Sequence, residues 1–279
     1  NIGFVFQNYA LFPHMSVFDN VSYGLSVKGI AKAERRERVS HVLDLVGLQR
    51  MERRFPNQLS GGEQQRVALA RVIVTEPSVL LLDEPLSNLD AKRRVQMRSE
   101  IRRLQRSLNM TSVYVTHDQE EALSISDRVV VMNLGEVEQE GTPQEIYAHP
   151  ASLFVAGFIG KVNALPAEVV RVDREEVTAS FGGSSFTVCR PTMSVSEGQR
   201  VSLLIRPESV DLSPEPDGPA PKGRIAHVTY LGEKAEYDIE CRGVQIKAVS
   251  FDPARHGMFA QGQDVYLHMQ SGSMILSEQ

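Results

Sequence analysis

The chain has 279 residues, 42% of them apolar and 23% charged. That balance belongs to a globular protein of one large or two ordinary domains, and it excludes a disordered tail, a collagen-like rod and a disulfide mini-protein. Lys and Arg number 30 against 35 Asp and Glu, a net charge of −5, split 18 against 19 in residues 1–160 and 12 against 16 in 161–279, so neither part carries the basic excess that nucleic-acid binding by bulk electrostatics requires.

The chain opens on an apolar run, Ile2-Gly3-Phe4-Val5-Phe6, with no initiator Met, and is expected to start inside an element. It shows no signal-peptide pattern, and no apolar run reaches the roughly 18 residues of a membrane span. Polar Gln7-Asn8 follow at once. Tyr9-Ala10-Leu11-Phe12-Pro13-His14-Met15 then reads either as packing at a helix start or as an exposed apolar surface.

Val39, Val42, Leu43 and Val46 share one helical face, and Gly47 is a natural stop. The Lys32–Arg38 cluster, with Glu34 and Glu37, reads as a solvated helix with intrahelical pairs. Leu59-Ser60-Gly61-Gly62-Glu63-Gln64-Gln65-Arg66 opens a further helix whose apolar face includes Val67, Ala70 and Ile73. Ser60 is a good N-cap. Two glycines there leave bare N–H groups that an anion can approach, helped by the helix dipole; plain capping is the competing reading.

Val79-Leu80-Leu81-Leu82 predicts a strand buried on both faces, and Asp83-Glu84-Pro85 follows directly. In an open α/β sheet, ligands bind beyond the carboxyl ends of the strands. Side chains alternate along a strand, so one carboxylate can serve a cation shell while its neighbour addresses a water. A solvated acidic pair is the alternative. Ser87-Asn88-Leu89-Asp90 forms the loop before a helix whose apolar positions are Met97, Ile101, Leu104 and Leu108; Arg94, Arg98, Arg102 and Arg106 lie elsewhere on it and read as a solvated face. Val113-Tyr114-Val115 predicts a second strand buried on both faces, ending in Thr116-His117-Asp118, which can reach the same sheet edge as Glu84. Arg128–Met132 and Glu136–Glu140 predict a hairpin turning at Gly135.

From about Asn163 the pattern changes to short strands and turns. Residues 195–213 and 259–277 repeat at an offset of 64 without a gap: Gly198/Gly262, Gln199/Gln263, Val201/Val265, Leu203/Leu267, Ser209/Ser273, Leu212/Leu276 and Ser213/Ser277 coincide. This predicts two interlocked β units in a barrel-like module, joined by a stiff connector at Ser213–Gly223 that holds four prolines. Cys189 and Cys241 are 52 residues apart and read as free thiols of a cytosolic protein, with a disulfide between them as the alternative.

The set of motifs resembles the ATP-binding subunit of an ABC importer with a C-terminal TOBE domain. Leu59–Gln65 resembles that family's signature motif, Leu80–Glu84 its Walker B strand with catalytic Glu, Ser87–Asp90 its D-loop, His117 its switch His and Gln7 its Q-loop Gln. Ile205-Arg206-Pro207-Glu208-Ser209-Val210 resembles the TOBE region. The resemblance implies an α/β fold: a partial P-loop NTPase domain with a helical subdomain over 1–160, then a small all-β, OB-like TOBE domain over 161–279. By the same likeness Glu84 polarises the attacking water and His117 holds it against the γ-phosphate. Asp83 and Gln7 support Mg²⁺, and Gln7 senses the γ-phosphate. Ser60, Gly61, Gly62 and Glu63 contact ATP held by a second copy of the chain, with Asp90 at the same seam.

The implied partners are integral-membrane permease subunits, whose helix the Tyr9–Met15 stretch would receive, a second copy, and indirectly an extracytoplasmic solute-binding protein. No nucleic acid is implied. The implied place is the cytoplasmic face of the cell membrane. The sequence holds no Gly-x-x-x-x-Gly-Lys-[Ser/Thr]; its one Gly-Lys, Gly160-Lys161, is followed by Val162. The chain is therefore expected to lack an N-terminal part of the domain and to be inactive as it stands. Among importers, likeness favours a polyamine cargo (spermidine or putrescine), with ferric iron, phosphonate, sugar and sulfate as alternatives and a non-transport ABC ATPase as the reading from another class.

Overall fold

The structure, a computed structural model, describes residues 2–189, 194–216, 218, 220–270 and 273–277. It divides into two compact units, residues 1–127 and 128–279. The change of pattern in the sequence lies at 160–163 instead, so the hairpin and two short helices over 129–159 group with the β-rich unit.

The first unit contains β1 (Ile2–Val5), α1 (Val17–Val27), α2 (Lys32–Leu45), α3 (Gly61–Ile73), β2 (Val79–Asp83), α4 (Ala91–Leu108), β3 (Thr111–Val115) and α5 (Gln119–Ile125). The strands form a parallel sheet in the order β1-β2-β3. The periodicities hold: Val39, Val42 and Leu43 of α2 with Val46 at its C-cap, Val67, Ala70 and Ile73 of α3, and Met97, Ile101 and Leu104 of α4 are all buried in one core. Helix α3 lies directly on β1 because Gly3 has no side chain: a Cβ there would sit 2.1 Å from Val72 Cγ1.

The sheet departs from expectation in one respect. Its strands are covered on a single face. Ile2 and Phe4 of β1 point to the other side, as do Val113 and Val115 of β3, which are 51% and 53% exposed. The described helices of this unit pack on the face that carries Val5, Leu80 and Leu82, and strand alternation leaves the opposite set outside.

The arginines of α4 are a second departure. Arg106 is exposed as expected, but the other three do not line a solvated face. Arg94 pairs with Asp118 at 3.0 Å, Arg98 with Glu120 at 3.0 Å and Arg102 with Asp127 at 2.5 Å. An i, i+4, i+8 row places all three on one side of α4, and the acids of α5 and its flanks meet them there. Arg66 of α3 reaches the same helix through Glu100 at 3.2 Å.

The second unit begins with a hairpin, β4 (Val129–Asn133) and β5 (Glu136–Gly141), followed by α6 (Pro143–Ala148) and α7 (Leu153–Ile159). Then come β6 (Asn163–Val172), β7 (Glu176–Phe181), β8 (Ser184–Cys189), β9 (Arg200–Ile205), β10 (Val210–Ser213), β11 (Lys222–Tyr230), β12 (Lys234–Cys241), β13 (Val244–Phe251), α8 (Pro253–His256), β14 (Asp264–Met269) and β15 (Met274–Ser277). They make two five-stranded sheets, β15-β9-β6-β7-β8 and β10-β14-β11-β12-β13.

The two sheets have one plan. In each, the strand after the repeated turn lies beside the first strand of its own half and beside the last strand of the other half. The repeat is visible bond by bond. Gly198 N–H donates to Val169 O and Gly262 N–H to Ile225 O, both at 2.8 Å. The Gln199 and Gln263 side-chain oxygens accept from Ser196 N and Ala260 N at 3.0 and 2.9 Å. Gly198 and Gly262 share a left-handed backbone, φ +79° and +83°, that favours glycine at each turn. The interlocking is an exchange: β10 pairs with β14 and β15 with β9, so each half lends its final strand to the other sheet.

Arg206, just past β9, explains why 143–161 groups with these sheets. It is buried, its guanidinium donates to the carbonyls of Ala156 (2.8 Å), Lys161 (3.1 Å) and Tyr147 (3.2 Å), and it stacks over the Tyr147 ring at 4.3 Å. Tyr147 in turn donates its hydroxyl to Glu208. Burial, with help from Glu208, pushes the Tyr147 phenol up to about 12. Gly160-Lys161 belongs to this corner: a Cβ on Gly160 would sit 3.3 Å from Arg206, and Lys161 pairs with Glu236 at 2.6 Å. Cys189 and Cys241 are free thiols, one exposed and one buried.

Candidate functional site

Three parallel strands in level register end together. Val5 stands opposite Leu82, and Leu82 opposite Tyr114. Gln7 comes two residues after Val5, Glu84 two after Leu82, and His117 three after Tyr114. Neighbouring strands lie about 4.8 Å apart, so side chains at three such ends can meet, with the β2 residue in the middle.

They do meet. Gln7 Nε2 donates to Glu84 Oε2 at 3.0 Å, and His117 Nδ1 lies 3.0 Å from Glu84 Oε1. Each carboxylate oxygen of Glu84 thus has its own partner from a neighbouring strand. The hydrogen bond to Glu84, then the charge of Glu84, push the His117 imidazole above its ordinary value; Glu121 and Asp118 add to this. With Glu84 ionised, Nδ1 carries the proton and Nε2 is left for another partner.

The backbone of Glu84 is held in an unusual state. Its φ is +41°, a left-handed conformation rare for a residue with a side chain. Glu84 N–H donates to Val115 O at 3.0 Å, continuing the β2–β3 pairing by one residue, while the Ser87 hydroxyl donates to Glu84 O at 2.9 Å. Asn88 Nδ2 donates to Gln7 O at 2.9 Å and joins the loop after β2 to the turn after β1.

That turn is strained too. Tyr9 and Ala10 have φ of +63° and +45°. Arg71 of α3 donates to Tyr9 O at 2.8 Å and to Ala10 O at 2.6 Å, and its guanidinium lies 5.6 Å from the centre of the Phe12 ring. Tyr9 is buried in the core rather than presented outward. The buried Asn20 side chain binds Phe12 N–H and the carbonyls of Phe12, Met15 and Ser16 at 2.9 to 3.1 Å, so the Phe12–Ser16 stretch is organised from beneath.

Ser60 caps α3 as expected. Its N–H and hydroxyl both donate to Glu63 Oε2, at 2.7 and 2.8 Å, a capping box. Those two bonds, the backbone one first, hold the Glu63 carboxyl below its usual range. Gly61 packs against Leu89, where a Cβ would sit 3.2 Å from Leu89 Cδ2; a Cβ on Gly62 would meet nothing within 4 Å. Local packing therefore does not demand glycine at position 62, although glycine in a helix costs about 1 kcal/mol relative to alanine. Among the described residues, Ser60, Gly61, Gly62 and Glu63 make no hydrogen bond to Glu84 or His117. Asp90 caps α4, accepting from Arg93 N at 3.0 Å and pairing with Arg93 Nε at 3.2 Å.

Asp83 closes β2, half-buried opposite Val115. Among the described residues no group of three or more His, Cys, Asp or Glu is placed to hold a metal ion. Asp83 and the Gln7 amide oxygen are hard donors, suited to Mg²⁺ in the way it is bound alongside phosphate oxygens rather than in a closed protein cage. The amide nitrogen of Gln7 is engaged by Glu84, which leaves that oxygen available. No described helix is long and apolar enough to cross a membrane.

Residues 1–87 match the ABC transporter family model, and residues 203–276 match the TOBE domain model. The chain is 45% identical over all its 279 residues to the Fe(3+) ions import ATP-binding protein FbpC of Brucella melitensis, spanning 77% of that protein. It is 48% identical over 258 residues to an FbpC of Rhizobium meliloti (91% of this chain, 70% of the relative). It is 49% identical over 249 residues to the spermidine/putrescine import ATP-binding protein PotA of Marinobacter nauticus (88% and 67%). Among solved structures, cbiO1 of Clostridium perfringens, part of the ABC transporter complex cbiONQ, superposes on 53% of the chain and 59% of its own, with a TM-score of 0.50 and 35% identity.

Proposed function

The chain belongs to the ATP-binding subunits of ABC importers that carry a C-terminal TOBE domain, and from that membership we propose that Glu84, His117 and Gln7 are its hydrolytic centre. The observation that carries the proposal is the pair of 3.0 Å contacts that fix both oxygens of Glu84 between Gln7 and His117. A carboxylate so held is oriented before substrate arrives, and in phosphoryl transfer positioning and charge stabilisation do most of the work.

In this reading Glu84 accepts a proton from the attacking water. His117 steadies Glu84 through Nδ1 and offers Nε2–H to the terminal phosphate when protonated, a state its contact with Glu84 favours. Gln7 reports occupancy to the Tyr9–Met15 stretch, whose residues after the buried Tyr9 we read as the face toward the permease subunits. The bare N-terminal N–H groups at Gly61 and Gly62 are donors for the nucleotide of a second copy, and Asp90 sits at that seam. Asp83 and the Gln7 oxygen would hold Mg²⁺ jointly with the phosphates. When bound, the ion supplies charge neutralisation on them.

We place the subunit on the cytoplasmic face of the membrane, with a solute-binding protein acting on the far side. For cargo we favour ferric ion over polyamine, because relatives named for Fe(3+) import match the whole chain at 45% identity. The PotA relative, at 49% over a shorter span, keeps polyamine as the second reading. Uptake of labelled ferric ion and labelled putrescine by vesicles holding the assembled transporter separates the two. In the same vesicles Glu84→Gln is expected to cut ATP hydrolysis by at least about 10²-fold; unchanged turnover would remove Glu84 from the chemistry. The 279-residue chain contains no P-loop sequence, and we expect it to show no Mg²⁺-dependent hydrolysis on its own. Activity abolished by Glu84→Gln in this chain would overturn that expectation.

A further inference from the structure

His117 is nearly bare: its side chain is 75% exposed, and among the described residues its one polar partner is Glu84. Packing does not hold such a ring in one rotamer. Its backbone is held instead, from both sides. Thr116 Oγ1 donates to Glu121 Oε2 at 2.8 Å and accepts from Asp118 N–H at 2.9 Å. Asp118 caps α5, its Oδ1 accepting from Glu121 N–H at 3.1 Å, and its Oδ2 accepts from Arg94 Nη1 at 3.0 Å. Tyr114, the last inward residue of β3, donates its hydroxyl to Glu121 Oε2 at 2.9 Å.

The centre of this knot is Glu121, a carboxylate only 3% exposed. An apolar side chain of similar volume would fill the place without the desolvation cost of a buried charge. A carboxylate gives direction in return: one oxygen holds the end of β3 and the residue before His117 together. Arg94 adds a second connection. Its Nη2 donates to Leu89 O at 3.3 Å, so one guanidinium joins the Ser87–Asp90 loop to the cap that follows His117.

We infer that Glu121 and Arg94 are positioning residues for His117, Glu121 acting through Thr116 and Arg94 through Asp118, and that together they set where the imidazole stands against Glu84. Arg94 also passes displacements of the Ser87–Asp90 loop to His117, because Leu89 of that loop and Asp118, the residue after His117, are fastened to the same side chain. The inference rests on the hydrolytic role given to Glu84 and His117 above, but it concerns the placement of a ring and can be read without turnover.

The test follows the His117 ring by NMR across pH in the 279-residue chain, its resonance assigned with His117→Gln. The ring faces Glu84 beyond β2 and Asp118 and Glu121 of α5, with Arg94 and Arg98 of α4 behind those acids. Glu84→Gln marks the midpoint of an unpaired ring. In Thr116→Val the midpoint is expected to fall most of the way from the wild-type value to that mark, and Glu121→Gln is expected to lower it by more than the same change does in the Glu84→Gln background, where only the loss of the Glu121 charge is read. Arg94→Gln should lower it less, and Thr116→Ser, which keeps the hydroxyl, should restore it. A wild-type midpoint in Thr116→Val, together with a Glu121→Gln shift that is the same in both backgrounds, overturns the inference. If Glu121→Gln does not fold, the Thr116→Val and Thr116→Ser pair decides alone. A wild-type midpoint equal to that of Glu84→Gln overturns the pairing and the inference together. In the assembled transporter, Thr116→Val is expected to lower kcat about 10- to 100-fold with KM little changed. Unchanged hydrolysis beside a shifted midpoint would refute the catalytic reading and leave the positioning in place.

Discussion

Arg71, near the end of the helix that Ser60 caps, holds the backbone of Tyr9, two residues past Gln7. The glycine-fronted helix and the glutamine turn are thus fastened by one guanidinium, which also takes the carbonyl of Ala10. Movement of one element cannot leave the other in place without breaking two charge-assisted bonds.

Arg71→Met should destabilise the chain by about 2–4 kcal/mol, since two carbonyls lose a charged donor and two left-handed residues lose their restraint. Urea unfolding measures it. A loss below about 1 kcal/mol would mean that the turn holds its own shape.

The left-handed backbone at Glu84 has a testable cost. Glu84→Gly and Glu84→Ala both remove the carboxylate, but only glycine relaxes φ at +41°. The glycine variant is expected to be more stable than the alanine variant by about 1 kcal/mol. Equal unfolding midpoints would show that the position bears no strain.

The contact between Glu84 and His117 makes stability depend on pH. The folded chain binds the imidazole proton more tightly than the unfolded chain does, because the His117 value is raised. The gain is complete below the ordinary histidine value of about 6.5 and fades as pH rises through the higher folded value. The stability difference between wild type and Glu84→Gln should therefore shrink on going from about pH 5.5 to about pH 8.5. A difference that stays constant over that range would contradict the pairing.

Arg206→Met leaves the carbonyls of Tyr147, Ala156 and Lys161 without their donor. A loss of about 2–4 kcal/mol is expected. Limited proteolysis should then find new cleavage between 143 and 161 before the β-sheets open. An unchanged cleavage pattern would mean that α6 and α7 are anchored by packing alone.

The residues that meet at the rim of the parallel sheet were legible because each stands within two residues of the end of an apolar run, and level strand register does the rest. The repeat was legible because its offset is constant. What escaped depends on partners far along the chain. Arg94, Arg98 and Arg102 look like a solvated row until α5 brings acids 22 to 25 residues away against them. Val113 and Val115 look buried because their composition is that of core, but burial depends on which elements cover a face, and a strand's own residues do not say. Arg206 meets Tyr147 across 59 residues, with no local pattern to announce it. The offset of 64 residues predicted two like units, yet it held no signal for which sheet each final strand joins.

The exchange of β10 and β15 has a mechanical consequence. Scission of the proline-rich connector between residues 213 and 223 would not yield two free fragments, since each would still supply the edge strand of the other's sheet. The two sheets must melt as one cooperative body, and neither can be excised as a minimal domain by cutting at the boundary that the sequence advertises.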